Sequence, residues 1–392
     1  MAIRKIGVSP DFKPARLKWS EFGEEAIGAG AAEMDFGTAP VVRDALHEAM
    51  EAGVHGYLPA GIAAEVRGSS ARWQWESYGW AVDPDDIRLV PDTVTALSLV
   101  IDHFTEPAMP IIVPSPAYPR FVGIARTLRR AVVPVGLTQE QGRYRYRIDE
   151  IEDAFERAGG GLLVLCNPQN PTGFVADANA LLEISKVVAR HAGRVFADEL
   201  HGPLVYAPRN HVPYASLSAE SAQHSITVVS ASKAWNLSGL KCSEVILTNS
   251  LDKERWDRSD RLRLSVNATS TLGAVAAAAA YTSGGPWLDS IRNYLRRNSS
   301  IIDDFIKSDM PEVGYRAPDA TFLAWLDFSG IRGLSNDPAQ YLLDRARVAV
   351  LDGRTFGPGG EGFVRFNFAT SRRVLVQALE RMQKSVKSLP RG

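Results

Sequence analysis

The sequence predicts an α/β fold, with a large domain on a seven-stranded, mostly parallel sheet and a smaller α+β domain beside it. Three observations carry this. Short apolar runs alternate with longer amphipathic ones between Ile87 and Thr282, the signature of a parallel sheet covered by helices. Several apolar runs end in residues that carry chemistry, as expected where open α/β sheets bind ligands at the carboxyl ends of their strands. From Gly284 onward the texture changes to one long polar-faced helix followed by alternating strands.

Taken in order, the strand candidates are Ile87–Val90, Pro110–Val113, Ala131–Val135, Leu162–Cys166, Arg194–Ala197, Ile226–Val229 and Glu244–Leu247. The helical candidates include Thr93–Phe104, Tyr118–Leu128, Ile148–Ala158, Asp177–Ala192 and Leu272–Thr282. A helix from Trp287 to about Ile306 opens the smaller domain. It is followed by strands Thr321–Phe328, Val348–Leu351 and Gly362–Phe368 and a last helix from Ser371. The expected division is a large domain over residues 46–285, with residues 1–45 and 286–392 forming the small one. Gly357-Pro358-Gly359-Gly360 precedes a strand rather than a helix, so it is expected to be a hairpin turn and not a phosphate loop.

Composition excludes several classes of function. The 392 residues carry a net charge of −1 with 45% hydrophobic and 23% charged residues, ordinary for a globular protein. No basic stripe argues for nucleic acid, and no apolar run approaches the ~20 residues of a membrane span. Met1–Ile6 lacks the apolar core of a signal peptide. Two cysteines, Cys166 and Cys242, sit at the ends of buried-looking strands and are expected to be free core residues. No Cys/His spacing suggests a metal. The expected compartment is the cytoplasm.

The chemistry is concentrated in three segments. Ser230-Ala231-Ser232-Lys233 follows the apolar run Ile226–Val229, and a second cation, Lys241, follows Gly239-Leu240. Small hydroxyl donors and two amines so arranged suit pyridoxal 5'-phosphate (PLP): Lys233 for the Schiff base, and Ser230, Ser232 and Lys241 for the phosphate. Asn170, in Asn167-Pro168-Gln169-Asn170-Pro171-Thr172-Gly173, is an uncharged donor suited to the phenolate oxygen. Asp198, in Ala197-Asp198-Glu199-Leu200-His201, is a carboxylate suited to a protonated pyridine nitrogen. Each segment alone has a plainer reading, as an exposed lysine, a turn or a surface acidic pair. The ordered set Asn170, Asp198, Lys233 and Arg365 does not. Thr93 and Val94 begin a helix after a strand, where free backbone N–H groups make a phosphate site.

On these motifs the chain resembles the fold-type I PLP enzymes, the class I/II aminotransferase superfamily. It most resembles the cystathionine β-lyase or C–S lyase subgroup. The closer likeness rests on Glu33-Met34-Asp35-Phe36, His55-Gly56-Tyr57, Ser115-Pro116-Ala117-Tyr118-Pro119, Asp198-Glu199-Leu200-His201-Gly202-Pro203 and Phe363-Val364-Arg365-Phe366-Asn367-Phe368. It spans about Trp19 to the C-terminus. The resemblance implies that Arg365 clamps the substrate α-carboxylate, with a guanidinium geometry suited to the pairing. Tyr118 would stack on the pyridine ring and serve catalysis with Lys233 and Asp198. His201 would lie near the ring, where many transaminases carry tyrosine. Tyr57 would reach the phosphate and substrate of a partner subunit, making a homodimer with shared sites. The implied activity is β-elimination from L-cystathionine or related cysteine S-conjugates to a thiol, pyruvate and ammonia. The alternative is amino-group exchange with a 2-oxo acid.

Two departures from the family pattern stand out. Gly30-Ala31-Ala32-Glu33 replaces the usual Trp-Val-Ala-Asp, so the substrate end, with Ala32 on its wall, should be roomy. Asp92 stands where glycine or serine is usual. It must point away, cap the helix or pair with a cation, and the sequence leaves the three open.

Overall fold

The computed structural model describes residues 16–140, 142–334 and 336–389. The expectations for Met1–Ile6, and for the first fifteen residues of the small domain, lie outside them. The large sheet has eight strands, not seven. From one edge they are Ile87–Val90, Ser243–Leu247, Ser225–Val229, Arg194–Asp198, Leu162–Cys166, Ile111–Ser115, Val132–Glu140 and Arg143–Tyr146. The five consecutive strands from Ser225–Val229 to Val132–Glu140 are mutually parallel. Ser243–Leu247 runs antiparallel to both its neighbours, and Arg143–Tyr146 turns back on Val132–Glu140. The eighth strand was missed because Arg143-Tyr144-Arg145-Tyr146 is polar and aromatic, without the apolar run that marked the other seven.

Side-chain parity explains why these strands are apolar throughout. Ile111, Val113, Leu162, Val164, Phe196, Ile226 and Val228 face one buried layer with helix Thr93–Phe104. Ile112, Leu163, Leu165, Val195 and Ala197 face the other, against helices Ile148–Ala158 and Ala178–Arg190. Helix starts are set by side-chain caps: Asp177 accepts from the Ala180 N–H and Ser270 from that of Gly273. Helix Ile148–Ala158 ends on Gly159 at φ 65°, the left-handed turn that glycine adopts without strain.

A second sheet has the order Gly314–Tyr315, Leu323–Asp327, Phe363–Asn367, Leu351–Asp352, all antiparallel. The expected strand Val348–Leu351 divides. Val348–Ala349 pairs in parallel with Ile27–Gly28, whereas Leu351–Asp352 pairs with Phe363–Asn367. One short run thus serves two partners, which alternation alone does not reveal. The Gly357–Gly360 loop lies between Leu351–Asp352 and Phe363–Asn367 as expected, and the Pro358 carbonyl accepts from the Ser115 hydroxyl. Helix Gly285–Asp309 packs on the last helix, Arg372–Lys387. No helix among the described residues is long and apolar enough to cross a membrane.

Candidate active site

The carboxyl ends of Leu162–Cys166 and Arg194–Asp198, the turn after Ser225–Val229 and the start of helix Thr93–Phe104 meet strand Phe363–Asn367 around one cavity of about 580 Å³. Lys233, Asp198, Asn170, Arg365, His201 and Tyr118 all line it. The Lys233 amine donates to Ser238 Oγ at 3.3 Å and to the Ala32 carbonyl at 3.5 Å. Loss of hydration and the nearby Arg365 charge lower its pKa to about 8, against the opposing pull of Asp198 and Glu33. An amine so poised is a usable nucleophile and base near neutral pH.

Asp198 is buried, and burial pushes its carboxyl up to about 6 although the Leu200 N–H and the Lys233 charge draw it down. Among the described residues no cation forms an ion pair with it. Arg365 is also buried. Its Nη1 donates to Asn170 Oδ1 at 3.0 Å, its Nη2 donates to the Gly30 carbonyl at 3.0 Å, and its Nε has no partner. Its guanidinium lies 5.1 Å from the centre of the Phe356 ring. No carboxylate within the described residues pairs with it, and burial lowers its pKa to about 10. A buried cation without a counterion is a site waiting for an anion. His201 is buried too. Burial and the charges of Lys233 and Arg365 drive its pKa down to about 3, so it is a neutral imidazole whose Nδ1 has no partner.

Helix Thr93–Phe104 also presents its N-terminus to the cavity. Asp92 caps this helix, accepting from the Thr95 N–H at 2.8 Å, and also pairs with Lys241 Nζ at 2.9 Å. Of the three possibilities the sequence left open, two hold together. The cap engages Thr95 and leaves the N–H groups of Thr93 and Val94 at the helix end, beside a buried Thr93 hydroxyl without a partner. Ser232 lines the same space. Lys241 adopts φ 52°, and helix Thr271–Ser283 packs so closely there that a Cβ on Gly273 would fall 1.9 Å from the Leu240 carbonyl oxygen. Only glycine lets the helix fix this turn.

Two expected residues lie elsewhere. The Ser230 hydroxyl donates to the Cys242 carbonyl at 2.8 Å and accepts from the Ser232 N–H, so it braces the turn rather than facing the cavity. Tyr57 is 92% exposed and lies off the cavity wall of its own chain. Ala31 and Ala32 do line the cavity, together with Leu17, Phe22 and Leu351, which the sequence did not single out. Asn236 and Asn367 were missed in another way. Asn236 bonds to Met34 and Gly37, and Asn367 bonds to the Ala31 and Glu33 carbonyls, so the two pin the segment that carries Ala31 and Ala32 on the cavity wall. Asn236 sits inside a motif that was legible, but nothing in its neighbours identifies its partners. Cys166 and Cys242 are free and buried, as expected.

The groups around the cavity fit PLP: the unpartnered Thr93 hydroxyl and the helix end suit a phosphate, Asp198 a cationic ring nitrogen, Asn170 a phenolate and Lys233 an aldehyde. Residues 24–382 match the family model for aminotransferase class I and II. A cystathionine β-lyase of Corynebacterium glutamicum is 36% identical over 93% of this chain and 95% of that protein. This chain belongs to the class I and II aminotransferase family. Within it the chain stands with the cystathionine β-lyases, and another, from Bacillus subtilis, is 32% identical over 94% of this chain and 96% of that one. Cystalysin from Treponema denticola, solved with pyridoxal 5'-phosphate, superposes with a TM-score of 0.88 at 25% identity, covering 100% of this chain and 98% of that one. The family's cofactor is PLP, and this member is a PLP-dependent enzyme.

Proposed function

We propose that this enzyme is a C–S lyase that removes the sulfur substituent from Cβ of L-cystathionine or a related cysteine S-conjugate. The observation that carries the reading is the unpaired Arg365 guanidinium, bonded to Asn170 and sharing one cavity wall with Lys233 and Asp198. Arg365 binds the substrate carboxylate, which orients Cα toward Lys233. When bound, PLP supplies an aldehyde for the substrate amine and an electron-withdrawing ring. Asp198 would hold that ring's nitrogen in its protonated form, and Asn170 would donate beside the phenolate. Lys233 Nζ takes the Cα proton. The Cβ–S bond breaks with its electron pair on sulfur, and Lys233 or Tyr118 returns a proton to the leaving thiolate. The three-carbon enamine then hydrolyses to pyruvate and ammonia.

The same groups suit amino transfer to a 2-oxo acid. Two observations favour elimination: the full-length likeness to cystathionine β-lyases, and the neutral His201 where transaminases often carry tyrosine. The exposure of Tyr57 supports a homodimer in which each subunit completes its partner's site. The two larger sheets support a large and a small domain, but the expected boundary between residues 45 and 46 falls inside helix Pro40–Glu51, which packs on helix Thr271–Ser283 and so goes with the large domain. Two free cysteines support a reducing compartment, the cytoplasm. The test is a single turnover on cofactor-loaded enzyme with L-cystathionine. Elimination leaves the cofactor absorption as it began; conversion to the amine form, reversed by a 2-oxo acid, would overturn the proposal.

A further inference from the structure

We infer that Asp92 weakens the enzyme's hold on its cofactor, because its carboxylate competes with the cofactor phosphate for Lys241. The inference rests on the reading of this end of the cavity as the phosphate site. Asp92 uses both oxygens. One accepts from the Thr95 N–H at 2.8 Å and the other meets Lys241 Nζ at 2.9 Å. The remaining donors beside it are the N–H groups of Thr93 and Val94, the unpartnered Thr93 hydroxyl and Ser232. Lys241 is the cation next to this helix end, and its turn is fixed by the packing of Gly273 on Leu240.

The consequence is electrostatic. Asp92 and Lys241 sum to no net charge, so a phosphate dianion arriving here meets a cation that is already neutralised and a carboxylate beside it. The helix end and the hydroxyls attract the phosphate, and Asp92 opposes them. Lys241 then divides its hydrogen bonds between two anions. Glycine or serine, the usual residues here, would leave the cation to the phosphate alone. This chain therefore holds PLP less tightly and exchanges it more readily than its other contacts imply. Both side chains are partly exposed, 53% for Lys241 and 34% for Asp92, so the effect is modest and diminishes with salt.

Asp92→Asn tests this cleanly, because asparagine caps a helix as well as aspartate does and removes only the charge. PLP affinity is measured by equilibrium dialysis at low salt in a Lys233→Ala background, so that the covalent bond does not mask the phosphate contact. Asp92→Asn should lower the Kd roughly fivefold to tenfold, the scale of one partly screened charge interaction. The gain should shrink as salt is added. Lys241→Ala should cost more affinity when combined with Asp92→Asn than when the native carboxylate is kept. Asp92→Ser, a second capping residue, should tighten binding in the same direction and serves if the asparagine variant folds poorly. An unchanged or raised Kd in the folded variants would overturn the inference, since Asp92 would then be positioning Lys241 for the phosphate. Failure of the native chain to take up PLP at all would instead strike the cofactor reading itself.

Discussion

Arg365 Nη1 donates to Asn170 Oδ1 at 3.0 Å, which ties the residue assigned to the substrate carboxylate to the one assigned to the cofactor phenolate. The two come from different sheets, Arg365 from strand Phe363–Asn367 and Asn170 from the loop after Leu162–Cys166. The bond keeps a buried guanidinium in place before a substrate arrives. It also means that the two halves of the site are positioned against each other and not separately.

Arg365→Ala should therefore impair every amino-acid substrate alike, since all share the α-carboxylate. The expected loss in kcat/KM is at least tenfold to a hundredfold, from about 1.5–3 kcal/mol for a charge-assisted hydrogen bond. Arg365→Lys should recover only part of it, because an ammonium lacks the fork geometry. Kinetics on two substrates of different size checks this, and a loss confined to one of them would remove Arg365 from the carboxylate role.

The lowered pKa of Lys233 has a direct consequence for cofactor capture. Only the neutral amine attacks an aldehyde, and burial brings its half-neutral point from 10.5 down to about 8. The rate of PLP uptake into cofactor-free enzyme should rise about tenfold per pH unit below that point and level off above it. Stopped-flow absorbance across the range checks it; a rate still climbing toward pH 10 would mean that Lys233 is not desolvated.

Glu244, which is not among the residues lining the cavity, carries a separate pH dependence. It is fully buried, accepts from Tyr281 OH at 2.9 Å, and burial pushes its pKa from 4.5 up to about 8. A carboxyl held neutral in the folded state contributes stability that is complete below pH 4.5 and lost as pH rises through about 8. Glu244→Gln, a neutral isostere, should raise stability at pH 8 or above by about 1–3 kcal/mol and change little near pH 4.5. Denaturant unfolding at both values measures it, and equal effects at the two would show that Glu244 titrates normally.

Substrate size should depend on the wall at residues 30–33. Ala31 and Ala32 line the cavity, and Asn367 holds their segment in place. Ala31→Trp should lower kcat/KM for bulky cysteine thioethers relative to small ones, by about 1–3 kcal/mol in the ratio. An unchanged ratio would place the large substituent elsewhere.

The seven apolar strands and most helices of the large sheet were legible, because burial on both faces forces continuous apolar runs. The eighth strand was not, since the edge position of Arg143–Tyr146 permits polar side chains. That Asn170, Asp198, Lys233, Lys241 and Arg365 belong together was legible because the chemistry of each is local to a short motif, and all five line one cavity. The engagement of the Ser230 hydroxyl by Cys242, twelve residues away, was not legible, because a motif does not state the partners of its hydroxyls. The double engagement of Asp92 with Thr95 and Lys241 needed coordinates, because it joins a helix cap to a residue 149 positions later.

The most direct test of the account is the product balance on L-cystathionine with cofactor-loaded enzyme and no 2-oxo acid. The account predicts thiol, pyruvate and ammonia in equal amounts over many turnovers, abolished by Lys233→Ala. A reaction that stops after one turnover, forms no thiol and resumes only when a 2-oxo acid is added would contradict it.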